Sequence, residues 1–284
     1  MNALATYIGV DIGGTNTRIA VLPTLDAPYC RIITRFPTFA QYKQQLRHLT
    51  LALDTMGPVA GIGVSIGARI AKDGRSVVFG PNVPDYIGKP LAHELASCFG
   101  CPVRLAHDTV CGLLGEQKFG VLQHYERCAY LTVSTGTGAA IHLQKATTRL
   151  TVSIEIGHQL LAGNTRPCLC GQVGCLETYT GGRQLELRLG QPLELVTDAA
   201  FWETFAKKLA LGLVNLAQLT KVETVAVSGG IVLSRPFLLG RIQHYVTEKL
   251  HGATLTLLAA LLAENAPLVG AALLLETPEE TIVH

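Results

Sequence analysis

Charge of one sign is scarce in this chain. Lys and Arg total 23 against 21 for Asp and Glu, a formal balance of +2, and no stretch gathers basic residues at the density that a phosphate backbone demands. Nucleic acid is therefore not an expected partner. The N-terminus, MNALATYIGVDIGG, has no basic flank, no long apolar h-region and no small-residue cleavage site, so the mature chain is expected to start near Met1 and to be cytoplasmic. An uninterrupted apolar run of membrane-spanning length is missing as well. LTLLAALLAENAPLVGAALLLE, from Leu255, is broken by Glu264, Asn265 and Pro267 and is expected as buried helix, with no membrane contact. No low-complexity linker divides the chain. Apolar residues are plentiful: 48% hydrophobic content over 284 residues suffices for one large or two medium globular domains.

Cysteine is used unevenly. Eight cysteines in a large, core-rich chain expected to be leaderless are not expected to form the disulfide framework of a small secreted domain, and they point to a reducing compartment. Cys30, Cys98, Cys101, Cys111 and Cys128 sit among apolar neighbours and are expected as small buried hydrophobes. The segment CLCGQVGC, residues 168 to 175, is different. It puts three thiols into eight positions, with Gly171 and Gly174 free to fold the backbone tightly around a point. A metal, a redox pair and chance are the alternatives. A redox pair more naturally uses C-x-x-C near a helix N-terminus, which this stretch lacks.

Along the chain, YIGVDIGGTNTRIAVL reads as a strand, a Gly turn and a second strand. That order excludes a dinucleotide fingerprint, whose G-x-G-x-x-G leads into a helix. A helix is expected between Phe39 and Met56, a strand at VAGIGVSIG, a short helix at LAHELASCFG ending on Gly100, a strand at CPVRLAHD and a helix at TVCGLLGEQKFG. AYLTVSTGTGAAIHL then repeats the opening device of strand, turn and strand. A long helix, FWETFAKKLALGLVNLAQLT, and a strand with a third glycine turn, TVAVSGG, follow. The alternation of strands and helices predicts an α/β protein with substantially parallel or mixed sheets, and the duplicated plan puts a boundary near Thr109 to Leu122.

Asp11, Gly13, Gly14 and Thr15 make one turn; Thr135, Gly136, Thr137 and Gly138 make another; Ser228, Gly229 and Gly230 make a third. Turns of small residues let backbone N–H groups approach anionic oxygens, and an aspartate beside one can hold hydrated Mg²⁺. Tight hairpins use the same residues. Asp108 ends the strand CPVRLAHD, where a carboxylate serves either as a helix N-cap or as a proton acceptor.

The motifs DIGGTNTR, AHDTVCGLLGE, STGTG, EIGH followed by CLCGQVGCLE, and VSGG occur in the order found in the repressor, open reading frame and kinase (ROK) family of sugar kinases, which this chain resembles over essentially its whole length. That resemblance implies the two-lobed, ribonuclease-H-like fold of the actin, Hsp70 and hexokinase superfamily, with a duplicated mixed-sheet domain and an interlobe cleft. The N-terminal lobe is expected over 1–115 and the C-terminal lobe over 116–284, with the last helix packing back on the first lobe. The implied reaction moves the γ-phosphoryl of ATP, with Mg²⁺, onto a hexose hydroxyl. Glucose is the first expectation; allose, fructose and N-acetylmannosamine are rivals.

The resemblance assigns Asp108 as the catalytic base and places Asn82, His107, Glu155, His158 and Glu177 around the sugar. It places Asp11, Gly13, Gly14, Thr15, Thr135, Gly136, Thr137 and Gly138 on the phosphates and Gly229 and Gly230 on the nucleoside. Three thiolates and one imidazole, Cys168, Cys170, Cys175 and His158, form a closed tetrahedral set suited to structural Zn²⁺, and the resemblance assigns the same four residues. Departures are visible: His107 stands where the family usually has Asn, the segment 139–156 contains no glycine, and VSIGARI lacks the usual proline. The family also implies a homodimer or homotetramer. Its repressors raise a different class, a sugar-responsive regulator, which needs an added N-terminal helix-turn-helix domain, and a sugar-binding protein without catalysis is a third.

Overall fold

The computed structural model describes residues 6–80 and 83–284. Asn82, expected beside the sugar, lies outside the described residues. Two compact units divide the chain. The first runs to Gly120 and takes back Leu150–Val152 and Asn265–His284; the second holds Val121–Arg149 and Ser153–Glu264.

In the first unit, β1 (Thr6–Ile12), β2 (Asn16–Leu22) and β3 (Arg31–Pro37) form an antiparallel meander. After α1 (Tyr42–Asp54), β4 (Val59–Ile66) pairs in parallel with β1. The short strands β5 (Arg69–Ile70) and β6 (Val77–Phe79) form a separate ribbon. Next come α2 (Leu91–Phe99), β7 (Val103–His107) and α3 (Asp108–Phe119). The sheet order is β3-β2-β1-β4-β7. Helix α2 stops where the sequence puts Gly100, which takes φ +61 as a left-handed cap. The expected domain break after Gly115 falls inside α3, a continuous helix that the first unit keeps whole.

The second unit contains β8 (Arg127–Val133), β9 (Thr137–Lys145) and the two ends of β10 (Thr148–Ile154), whose middle residues Leu150–Val152 group with the first unit, then α4 (Glu177–Thr180), α5 (Gly182–Leu189) and α6 (Ala199–Thr220). After these come β11 (Thr224–Ser228), α7 (Gly230–Leu233), α8 (Pro236–Lys249) and β12 (Thr256–Ala259). Its strands run in the order β10-β9-β8-β11-β12, with β8 and β9 antiparallel and β8, β11 and β12 parallel. That is the order of the first sheet over again. The duplicated plan is thus present in the fold, as two α/β units with mixed sheets.

The apolar segment from Leu255 is corrected. It is a strand, β12, up to Ala259; only after Asn265 does it become helix α9 (Ala266–Leu273), which belongs to the first unit, and β13 (Ile282–Val283) follows. Periodicity does not separate a buried strand from a buried helix when the run is apolar on every face. Helix α9 lies almost directly on backbone: a Cβ on Gly63 of β4 would sit 1.7 Å from the Ala271 carbonyl oxygen, and one on Gly270 would sit 1.7 Å from that of Cys111. Among the other cysteines, Cys101, Cys111 and Cys128 are buried as expected, whereas Cys98 is exposed and Cys30 is half-buried. Cys98 follows the outward side of α2, whose buried residues are Leu91, Ala92 and Leu95.

Candidate functional site

In the first unit the antiparallel register of β1 and β2 sets Asp11 opposite Arg18, and the parallel register of β1 and β4 sets it beside Ser65. Arg18 Nη2 donates to Asp11 Oδ2 at 2.7 Å and Ser65 Oγ to Asp11 Oδ1 at 2.9 Å. Burial pushes the Asp11 carboxyl above the usual carboxylate range and the Asp108 charge adds to that, while Arg18 and Ser65 act in the opposite sense. The turn that follows is held by backbone and by Thr38: Gly13 N–H donates to Asn16 O, and Thr38 Oγ1 donates to Gly13 O at 2.7 Å. Gly14 and Thr15 are exposed, although the Thr15 carbonyl accepts the Thr38 N–H.

Asp108 is not the last residue of β7 but the first of α3, with His107 as the N-cap. One carboxylate oxygen, Oδ1, accepts the Thr109 N–H at 2.7 Å, and His107 Nδ1 stands 3.3 Å from the same nitrogen. The other, Oδ2, lies toward Gly67, where a built Cβ would come within 3.6 Å of it. The side chain keeps 31% of its surface exposed.

In the second unit, His158 sits on a one-turn 3-10 helix, Ile156–His158, and the three thiols sit on the loop that follows. The loop doubles back on itself through bridges between Leu160 and Cys175 and between Pro167 and Val173. Gly174 makes this possible: it takes φ +97, and a Cβ there would press to 2.9 Å from the Asn164 carbonyl oxygen. The result brings the donor atoms of His158, Cys168, Cys170 and Cys175 within 4.8 Å of one another. His158 Nδ1 is 3.9 Å from Cys168 Sγ, and Cys170 Sγ is 3.8 Å from Cys175 Sγ. A tetrahedron of Zn–S bonds of about 2.3 Å has edges of about 3.8 Å, so the four donors fit a zinc ion. Burial, then the neighbouring thiols, push Cys175 up to about 12, and burial raises Cys168; a cation among them inverts that preference. The other ring nitrogen of His158, Nε2, faces Glu155 Oε2 at 4.0 Å.

Glu177, first residue of α4, does not stand free. Its Oε2 accepts the Thr137 N–H at 2.8 Å and its Oε1 accepts from Gln184 Nε2 at 2.9 Å. Thr137 Oγ1 is paired with Thr180 Oγ1 at 2.8 Å. The turn at 135–138 therefore has Thr137 turned inward, with Thr135 exposed and Gly136 and Gly138 half-buried. In the third turn, Gly229 takes φ +96, and a Cβ would stand 2.3 Å from the Val133 carbonyl oxygen, so only glycine fits. Gly230 begins α7.

The model of the ROK family matches residues 7–277. This chain belongs to the ROK family. It is 30% identical to the glucokinase of Thermotoga maritima over 176 residues, 60% of this chain and 55% of that one. It is 26% identical to the xylose repressor of Bacillus subtilis over 231 residues, 74% of this chain and 59% of that one. The match spans little more than half the length of either relative. Among solved structures, the ROK family glucokinase of Streptomyces griseus in complex with glucose and AMPPNP superimposes with a TM-score of 0.77 at 25% identity, over 95% of this chain and 99% of that chain.

Three neighbours of the candidate site residues in this ROK chain have no motif of their own. Gln184 Nε2 contacts both Cys168 Sγ, at 3.1 Å, and Glu177 Oε1, so it ties the thiol cluster to the residue that braces the turn. Gln172 Oε1 lies 3.6 Å from Cys175 Sγ. Ser65 reaches Asp11 from a strand 54 positions away in sequence. Only for Ser65 was a signal available, since the parallel pairing of two recognisable strands puts it level with Asp11.

Proposed function

We propose that the protein is an ATP-dependent sugar kinase that phosphorylates a hexose hydroxyl, with glucose as the first candidate and a structural zinc in the second unit. One observation carries this reading: Asp108 heads α3 with Oδ1 held by a backbone amide and Oδ2 left to take a proton, in a chain whose family includes kinases. In the step itself the hydroxyl proton passes to Asp108 Oδ2, the hydroxyl oxygen bonds to the γ-phosphorus, and the bond from that phosphorus to the β,γ-bridging oxygen breaks to release ADP.

The other roles are assigned on the same basis. Gly14 and Thr15, with Thr135, Gly136 and Gly138, offer amides and hydroxyls to phosphate oxygens, and Gly13, whose N–H is taken by Asn16 O, shapes the turn; Gly229 and Gly230 leave room for the nucleoside. Thr137 serves the turn through Glu177. Asp11 is neutralised by Arg18, so its contact with hydrated Mg²⁺ would run through water; the ion supplies charge neutralisation at the phosphates when bound. Asn82, Glu155, His158 and Glu177 are read as the sugar contacts, and each Glu177 oxygen keeps a second lone pair for a hydroxyl. His158, Cys168, Cys170 and Cys175 would hold zinc, which stiffens the loop and orients the imidazole without entering phosphoryl transfer.

A coupled ATP assay over glucose, allose, fructose and N-acetylmannosamine tests the activity, and Asp108→Asn tests the mechanism. Turnover of at least one hexose is expected. The variant keeps size and removes basicity, so kcat should fall by about 10²–10⁴ while zinc content and ATP binding persist. Near-normal kcat in Asp108→Asn would remove the base from the scheme; sugar binding without phosphorylation of any hexose would favour the regulator class.

A further inference from the structure

His107 sits at the head of α3, where it is the N-cap. Its Nδ1 lies 2.8 Å from Asp108 Oδ1 and 2.8 Å from Thr109 Oγ1. It is also 3.3 Å from the Thr109 amide nitrogen. These contacts do not all agree on where the proton is. An unprotonated Nδ1 would accept from Thr109, but its lone pair would then meet a carboxylate oxygen at 2.8 Å, acceptor against acceptor. With a hydrogen on Nδ1 the same contact is a charge-assisted hydrogen bond of ordinary length. Neither of the Thr109 contacts requires a lone pair there. The Thr109 N–H already has its shorter partner in Asp108 Oδ1, at 2.7 Å, and the Thr109 hydroxyl hydrogen rotates to suit.

We infer that His107 is held as the Nδ1–H tautomer and donates to Asp108 Oδ1, which makes it a positioning residue for the base. Oδ1 then receives two donors, the Thr109 N–H and the His107 Nδ1–H. The carboxylate is locked in rotation, and proton acceptance falls to Oδ2 on the Gly67 side. The strand pairing places the backbone that carries the ring: His107 is in register with Ile66 of β4, one residue from Gly67. Asparagine at this position offers an amide N–H to the same oxygen, whereas leucine offers none. The role in catalysis rests on the kinase reading above; the tautomer does not.

Long-range proton–nitrogen NMR of the full-length, nitrogen-15-labelled protein at about pH 8, where an ordinary imidazole is neutral, reads the tautomer directly. The His107→Asn variant identifies the signal by its loss. A protonated Nδ1 is expected; a protonated Nε2 with bare Nδ1 overturns the inference whatever the enzyme turns over. If the tautomer is as expected and no hexose is phosphorylated, the failure belongs to the kinase reading alone. In kinetics with the best hexose, His107→Leu should lower kcat by roughly 10–100-fold, the worth of a hydrogen bond to a charged group, with hexose KM little changed, and His107→Asn should restore most of it. A loss confined to hexose KM, or an equal loss of kcat in both variants, would show that His107 does not act through the base.

Discussion

A carboxylate as buried as Asp11 is stable only with a cation beside it, and Arg18 supplies that cation from the partner strand. Both side chains are nearly enclosed, at 11% and 12% exposure. Removing one partner of such a pair costs about 3–5 kcal/mol, because the remaining charge is left without compensation. Arg18→Met is therefore expected to destabilise the protein by about that much at neutral pH in urea unfolding. The sign of the pH dependence follows from burial, which already raises Asp11 and which Arg18 opposes. Without Arg18 the folded-state value climbs further. The penalty belongs to the charged form, so it is fully present above that value and fades as pH falls and Asp11 takes a proton. Equal destabilisation at pH 7 and pH 5 would show that the pair is not what holds the charge. At the same scale, Cys98 shows how one residue escapes the rule for its type: it is apolar in company but exposed in place.

At the scale of elements, the loop after His158 is held by backbone bridges and by its donors, and α5 reaches it through Gln184. Cys170→Ser removes a donor from the set. Zinc affinity should fall by more than the roughly 10–100-fold that loss of an outer partner costs, and hexose KM should rise because His158 loses its anchor. Gln184→Ala, which removes such an outer partner, should fall within that range. Metal analysis after dialysis against a graded chelator measures both; unchanged zinc in Cys170→Ser would mean that the cluster is held for packing. Helix α9 makes a different demand. Gly63→Ala would drive a methyl into the Ala271 carbonyl, so the helix or strand must shift, at a cost of about 3 kcal/mol or more. Thermal unfolding reads this directly, and a melting temperature within a degree of the native protein's would contradict the close approach.

At the scale of the whole molecule, two units of the same strand order come from one chain, and the last helix is returned to the first unit. Family membership carries the expectation of a homodimer or homotetramer. Light scattering at micromolar concentration should give a mass of two or four times 30.3 kDa; the mass of a single chain would rule assembly out under those conditions. No helix among the described residues is long and apolar enough to cross a membrane.

By itself the sequence determined the parts whose causes are contiguous. The strand, glycine turn and strand of both units, the stop of α2 at Gly100 and the crowding of three thiols into residues 168 to 175 are set by neighbours within a turn or two, where periodicity and backbone freedom act. Tertiary structure alone decided what depends on residues far apart in the chain. It turned Thr137 inward to Glu177, made a strand of the apolar run after Leu255 and brought α9 onto Gly63. Each of those outcomes rests on a partner 40 or more positions away or on a neighbouring element: Thr137 and Glu177 are 40 apart, β12 becomes a strand by pairing with β11, and α9 meets β4 across most of the chain. A local pattern carries no record of which surface will be opposite it.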